Sequence, residues 1–293
     1  MNMKNIRKFE TTAAMDAATL EDVSINYNVE TNGVLTLPLG GGGGNSIKNY
    51  MRFVAVEDSQ INLTTFNTGT GEADNSVDLK HSKDGVTWTQ YDFNPIPLAA
   101  GETLYLKGNN ENGFCYFNEE TGEERLCSFG DLSKIGIPTT TPSTGKFECH
   151  GNIMSLLYGD DFENKDTIPN VGCFGYTLAF TPITTAPELP ATTLAEGCYS
   201  YMFVFCTSLT TAPELPATTL TEGCYNSMFF GCTSLNHITM LATDIPASNS
   251  LISWVNNVSS TGTFVKHPDM ASLPYGESGI PLGWTVIDYD FKN

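Results

Sequence analysis

Two consecutive stretches of this chain are nearly the same. Thr184–Leu209 reads TTAPELPATTLAEGCYSYMFVFCTSL, and Thr210–Leu235 reads TTAPELPATTLTEGCYNSMFFGCTSL. The landmarks recur at a step of 26: Pro187 and Pro213, Leu194 and Leu220, Cys198 and Cys224, Phe203 and Phe229, Cys206 and Cys232. A unit of this length cannot enclose its own apolar face and must stack on a neighbour, so a fixed period of this size predicts a solenoid.

Within each unit the residue types suggest their roles. Pro187 and Pro190 fix φ on either side of Glu188-Leu189 and hold that segment extended. Leu189, Leu194, Cys198, Phe203, Cys206 and Leu209 are expected to point inward, with Leu215, Leu220, Cys224, Phe229, Cys232 and Leu235 as their counterparts one unit on. Columns of such residues lie ~4.8 Å apart where the unit is strand. The segment around Glu196 is expected to open a short helical turn, and Thr207-Ser208 to form a turn.

The run G-C-Y-x-x-M-F-x-x-C-T-S-L followed by T-T-A-P-E-L-P-A resembles the BspA-like leucine-rich repeats of Bacteroidales surface proteins and of the phages that infect them. Gly172–Ile183 resembles a degenerate third unit that keeps Cys173 and Ile183 and carries Phe180 where the later units have cysteine. Gly151–Asp160 resembles the segment leading into such arrays. Gly262–Lys266 and Gly279–Val286 resemble the tail that closes them. The resemblance covers about half the chain and implies a binding or display module.

The fold expected is mainly β: an N-terminal anchor and glycine linker (1–44), an immunoglobulin-like β-sandwich (45–150), a short repeat solenoid (151–260) and a C-terminal cap (261–293). The run Gly40–Gly44 has no side chain to pack and reads as a flexible linker. No Lys-Ser/Thr follows it, so it is not a phosphate-cradling loop. Ala13–Leu20 is expected as a short helix, with Ser24–Tyr27 and Val34–Leu37 as strands. In the sandwich, strands are expected at Met51–Val56, Ile61–Thr65, Val77–His81, Val86–Asp92, Thr103–Lys107, Gly113–Phe117 and Gly145–Cys149, separated by turn clusters such as Ser82–Gly85. Trp88 is expected in the core and Glu119–Leu132 as an exposed loop. Beyond the repeats, Ile238 and Met240 belong to a last repeat strand. Ser250–Val255 is expected as a short helix whose Trp254 packs inward, and Thr263–Val265 and Thr285–Ile287 as strands.

Charge and chemistry narrow the function. Fourteen Lys and Arg stand against 33 Asp and Glu, a net charge of −19. With no basic patch, nucleic acid and anionic membrane surfaces are not expected partners. No apolar run is long enough to span a membrane. Met1–Leu20 carries Lys4, Arg7 and Lys8, but Phe9–Leu20 lacks an apolar core and does not read as a secretory signal, which favours delivery on a virion. The eight cysteines include Cys198, Cys206, Cys224 and Cys232 in equivalent slots, as expected of small buried residues in reduced form. Cys115 and Cys127 could pair across a hairpin; Cys149 has no assigned role. His81, His150, His237 and His267 sit in no nucleophile or metal motif. Asp160, Asp161, Glu163 and Asp166 lack the spacing of a calcium loop and read as a solvated loop. Glu188/Glu214 and Glu196/Glu222 recur by duplication and do not define a catalytic pair. No enzyme activity, cofactor or metal is expected.

Binding remains. Tyr199, Tyr201, Phe205, Tyr225 and Phe230 are the candidate ligand-facing residues, although Phe205 has a glycine, Gly231, as its counterpart. The expectation is a head- or tail-associated fibre or decoration protein. Its N-terminal region would meet a capsid or tail protein and its repeats a host surface protein or glycan, as a homodimer or homotrimer. The alternative is a cell-surface adhesin of Bacteroidales.

Overall fold

The computed structural model describes residues 47–117, 124–138, 141–246, 249–270 and 272–292. The expected anchor, its helix and strands, and the glycine linker lie outside the described residues. Lys48–Asn293 forms one compact unit, and the architecture is mainly β.

Alternation of buried and half-buried residues builds the first strands. β1 (Met51–Ala55) turns Met51, Phe53 and Ala55 into the core. β2 is Ser59–Ile61, β3 Thr64–Asn67, β4 Lys80–Ser82, β5 Thr89–Gln90, β6 Ile96–Leu98, β7 Thr103–Lys107, β8 Tyr116–Phe117, β9 Glu124–Ser128 and β10 Phe147–His150. One five-stranded sheet runs β10-β1-β7-β4-β5; β3-β9-β8 and β2-β6 form smaller sheets. Phe53 stands at the centre, edge-on to Phe129 and Phe147 at 5.1 Å each.

Several expectations change here. Glu119–Leu132 is not an exposed loop over its described part: Glu124–Ser128 is β9, and Leu126, Cys127, Phe129 and Leu132 are buried. A charged residue sits in this strand because two of the three guanidinium nitrogens of Arg125 find partners at a distance, its buried Nε having none among the described residues. Its guanidinium donates to Ser76 Oγ and to the Gly113 carbonyl, both at 2.8 Å, and lies 4.9 Å from the Tyr116 ring centroid. The expected Ile61–Thr65 strand divides between β2 and β3, and β6 adds a strand where none is expected. Trp88 is half-buried, edge-on to Tyr50 at 4.9 Å, with Lys107 Nζ 4.2 Å from its ring centroid. Two of the four acidic residues read as a solvated loop form a clamp. Asp160 accepts from Lys107 Nζ at 2.8 Å and from Tyr50 Oη at 2.5 Å, while Lys48 pairs with Glu163 at 3.2 Å.

The sheet passes directly into the repeats. β10 bonds to the start of the first intact unit, with Thr184 N–H donating to Phe147 O (3.1 Å) and Cys149 N–H to Thr185 O (3.0 Å). A short helix, α1 (Ser155–Tyr158), is tied to β7 through the Ser155 hydroxyl, which donates to Leu106 O at 3.0 Å. The residue after β9 is bound as well: Phe129 N–H donates to Thr177 O at 2.9 Å. Gly130 follows because a Cβ there would lie 1.6 Å from the Ala179 carbonyl oxygen. A single buried cluster therefore runs from Tyr50 to Trp284 through both parts.

In the repeats, all twelve residues expected inside are buried, the most exposed being Leu194 at 7%. All eight cysteines are buried free thiols, Cys115 and Cys127 included. At the C-terminal end, three strands lie parallel: β11 (His237–Met240), β12 (Thr263–Lys266) and β13 (Thr285–Asp288). Ser250–Val255 is not a helix. It belongs to a further run of turns like those before it, with Ser253 and Asn257 at positive φ. Trp254 is buried there, its Nε1 donating to Gly279 O at 2.8 Å.

Candidate binding surface

The surface bearing the expected ligand residues is built from an unusual backbone. In Gly197–Cys206, alternate N–H groups leave the unit: Tyr199 donates to Cys224 O (3.0 Å), Tyr201 to Asn226 O (2.9 Å), Phe203 to Met228 O (3.0 Å) and Phe205 to Phe230 O (2.8 Å). The N–H groups between them turn back three residues, as Met202 to Tyr199 O (3.2 Å) and Val204 to Tyr201 O (3.1 Å). Each buried donor therefore has an acceptor, either within its own unit or in the next. The pattern requires a left-handed residue at every fourth position. These are Gly172, Tyr176 and Phe180 in the first run, Gly197, Tyr201 and Phe205 in the second, Gly223, Ser227 and Gly231 in the third.

An aromatic residue at positive φ is an outlier, costing about 1–2 kcal/mol. Ring stacking offsets that cost at about 0.5–1.5 kcal/mol per pair. Tyr176 stacks on Tyr201 at 4.8 Å and 5°, and Phe180 on Phe205 at 5.4 Å and 16°. Phe230 closes edge-on against Phe205 at 5.4 Å.

This geometry divides the five candidates. Tyr199 and Tyr225 do not face a ligand: each is 1% exposed. They form an inner column in which Phe174 stacks on Tyr199 at 5.9 Å and Tyr199 on Tyr225 at 6.2 Å. Their neighbours Cys198 and Cys224 are buried too, because side chains do not alternate in and out along a backbone punctuated every four residues. Tyr201 and Phe230 are half-buried, and Phe205 is 44% exposed. Tyr176 and Phe180 join this outer ridge and were missed from sequence. The signal was present in the motif Gly-x-x-x-Tyr-x-x-x-Phe, shared by Gly172–Phe180 and Gly197–Phe205.

That alignment also shifts the degenerate unit by one residue. Phe180 matches Phe205, not a cysteine; Thr181 takes the cysteine column, with its Oγ1 3.3 Å from Cys206 Sγ. Cys206 and Cys232 donate to Leu178 O and Phe203 O, each at 3.0 Å. Burial pushes the thiols up, Cys206 to about 12 and Cys224 to about 11. Gly231 is explained by its neighbour: a Cβ there would lie 2.5 Å from Phe205 Cδ1. The ring occupies the place a side chain would take.

Among the described residues, no three His, Cys, Asp or Glu side chains gather as metal ligands, and no helix is long and apolar enough to cross a membrane. Comparison with models of known families, with curated proteins and with solved structures finds no match.

Proposed function

We propose that this chain is a non-enzymatic structural and binding protein of a phage particle, a head- or tail-associated fibre or decoration protein. In this reading an immunoglobulin-like β-sandwich carries a short BspA-like leucine-rich-repeat solenoid with its C-terminal cap. The N-terminal region attaches to a capsid or tail protein, and the repeats engage a host surface protein or glycan. A homodimer or homotrimer would present several identical ridges and gain avidity. The observation that carries the binding role is Phe205. It is a large apolar ring held at the surface, at positive φ, and braced by Phe180 and Phe230. The repeat pattern supports both a phage and a bacterial surface setting, so the second reading is a Bacteroidales cell-surface adhesin.

The test is adhesion of labelled protein to Bacteroidales cells, comparing the natural chain with Phe205→Ala and Tyr201→Ala. Loss of binding with an unchanged melting curve supports the ridge. Full binding by both variants refutes it. Mass spectrometry of purified virions separates the two settings. Removal of Met1–Gly44 is expected to abolish incorporation into particles while leaving a folded protein, and normal incorporation would refute the attachment role.

A further inference from the structure

Neighbouring units are joined by backbone hydrogen bonds, except that none among the described residues links 184–196 to 210–221. Where Thr184–Pro190 follows the preceding segment, Glu188 N–H donates to Gly151 O (2.8 Å) and Ile153 N–H to Glu188 O (3.2 Å). Where Thr210–Pro216 meets β11 and Leu241, Ala212 donates to His237 O (2.9 Å) and Leu215 to Thr239 O (3.0 Å), while Leu241 donates back to Leu215 O (2.9 Å). Between Thr184–Pro190 and Thr210–Pro216 no backbone hydrogen bond forms. The N–H groups of Ala186 and Leu189, equivalent to Ala212 and Leu215, donate to nothing among the described residues. The carbonyls of Thr211 and Glu214, equivalent to those of His237 and Thr239, accept nothing among the described residues. The gap continues beyond the prolines: Leu194 N–H, equivalent to the Leu220 N–H that donates to Asp244 O at 3.1 Å, has no backbone acceptor among the described residues. Within it, Pro216 stands where Leu241 supplies a returning donor one unit on, and a proline nitrogen carries no hydrogen.

The interruption opens a groove of about 430 Å³, within the roughly 300–1,000 Å³ range of ligand sites. Its walls are Ala186, Leu189 and four prolines, and the exposed carboxylates of Glu188 and Glu214 border it. Neither carboxylate meets a cation among the described residues: Glu188 accepts from Asn49 Nδ2 at 2.8 Å and Glu214 from Tyr289 Oη at 3.1 Å.

We propose that this groove binds an extended peptide segment with an apolar side chain next to a lysine or arginine. Unpaired amides on one wall and unpaired carbonyls on the other are what an added strand satisfies. The apolar walls take the uncharged side chain, and the two uncompensated carboxylates take the cation. An acidic or phosphorylated ligand is repelled. The groove is separate from the aromatic ridge, so this inference stands or falls independently of that site.

The experiment is fluorescence anisotropy of the full chain with a fluorescein-labelled hexapeptide of alternating leucine and lysine. The same peptide with acetylated lysines and an all-lysine hexapeptide serve as controls. Saturable binding is expected for the first, weakened about tenfold by acetylation or by Glu188→Gln with Glu214→Gln. Ala186→Trp fills the groove without altering charge and is expected to abolish binding. Pro216→Ala restores one missing donor, so it is expected to narrow the groove, weaken binding and raise the melting temperature. Absence of saturable binding, equal affinity for the all-lysine peptide, or undiminished binding by Ala186→Trp would each overturn the proposal. The last two would assign the attraction to the net charge of −19. Should Ala186→Trp fail to fold, undiminished binding by Pro216→Ala overturns it equally.

Discussion

Gly231→Ala should be costly, and most of its excess cost should vanish when Phe205 is also removed. Gly231 sits at φ +74°, where a side chain costs about 1–2 kcal/mol. The new Cβ would also lie 2.5 Å from Phe205 Cδ1 and 2.7 Å from Cε1, so the ring must swing outward. Swinging breaks its stack on Phe180, worth about 0.5–1.5 kcal/mol. The expected total for the single substitution is therefore roughly 2–3 kcal/mol. In a Phe205→Ala background the clash is gone and the stack is already lost, leaving only the backbone cost of about 1–2 kcal/mol. The double variant should thus be more stable than the sum of the singles by about 1 kcal/mol. Urea denaturation followed by tryptophan fluorescence on all four proteins closes the cycle. Additivity within about 0.3 kcal/mol, or a neutral Gly231→Ala, would refute the account of how these two residues share one space.

Three further outcomes are expected. Tyr199→Phe should stabilise the protein by about 1 kcal/mol, because the buried Tyr199 hydroxyl has no partner among the described residues and Phe174 already fills the same column; a lower melting temperature would count against it. The eight buried thiols should resist iodoacetamide in the folded state and the melting temperature should ignore reductant, while Cys206→Ala or Cys232→Ala costs about 1–2 kcal/mol; rapid alkylation of Cys206 would contradict the buried columns. Burial of Asp160 opposes its charged form, but hydrogen bonds from Lys107 and Tyr50 outweigh it and hold the carboxyl below its ordinary value. Its contribution is then present above the unfolded value near about 4 and is lost as pH falls through the lower folded value. Asp160→Asn should therefore be less stable than the natural chain at neutral pH, with the gap narrowing in acid; stability curves that stay parallel down to acid pH would exclude the clamp.

Local pattern made some of this fold readable. β7 matches its expected bounds, β1 differs by one residue, and the inward residues of the two near-identical units follow from apolar identity and repetition alone. What resisted reading depends on distant partners. β9 looked like a loop because Glu124-Arg125 is charged, and only Ser76 and Gly113 make Arg125 tolerable in a strand. The left-handed aromatics escaped because no propensity favours tyrosine or phenylalanine at positive φ; the ladder to the next unit imposes it. Tyr199 and Tyr225, expected outside from the repeat pattern, lie inside because the left-handed residue at every fourth position turns them into the inner column. The one-residue slip at Phe180 came from applying a step of 26 to a junction whose step, from Tyr176 to Tyr201, is 25.

That slip has a wider meaning. Ser227 and Ser253, at equivalent left-handed positions, are 26 residues apart, while Thr263 pairs with Thr285 after only 22. Hydrogen bonding dictates which amide meets which carbonyl, yet leaves open how many residues the chain spends returning to the next level. Insertions and deletions can thus accumulate in the return paths without disturbing the contact rows. Copying one unit in frame should add a further set of contact rows of the kind already present between the two near-identical units. The number of contact rows is therefore adjustable in whole units, by a genetic event that demands no new packing solution.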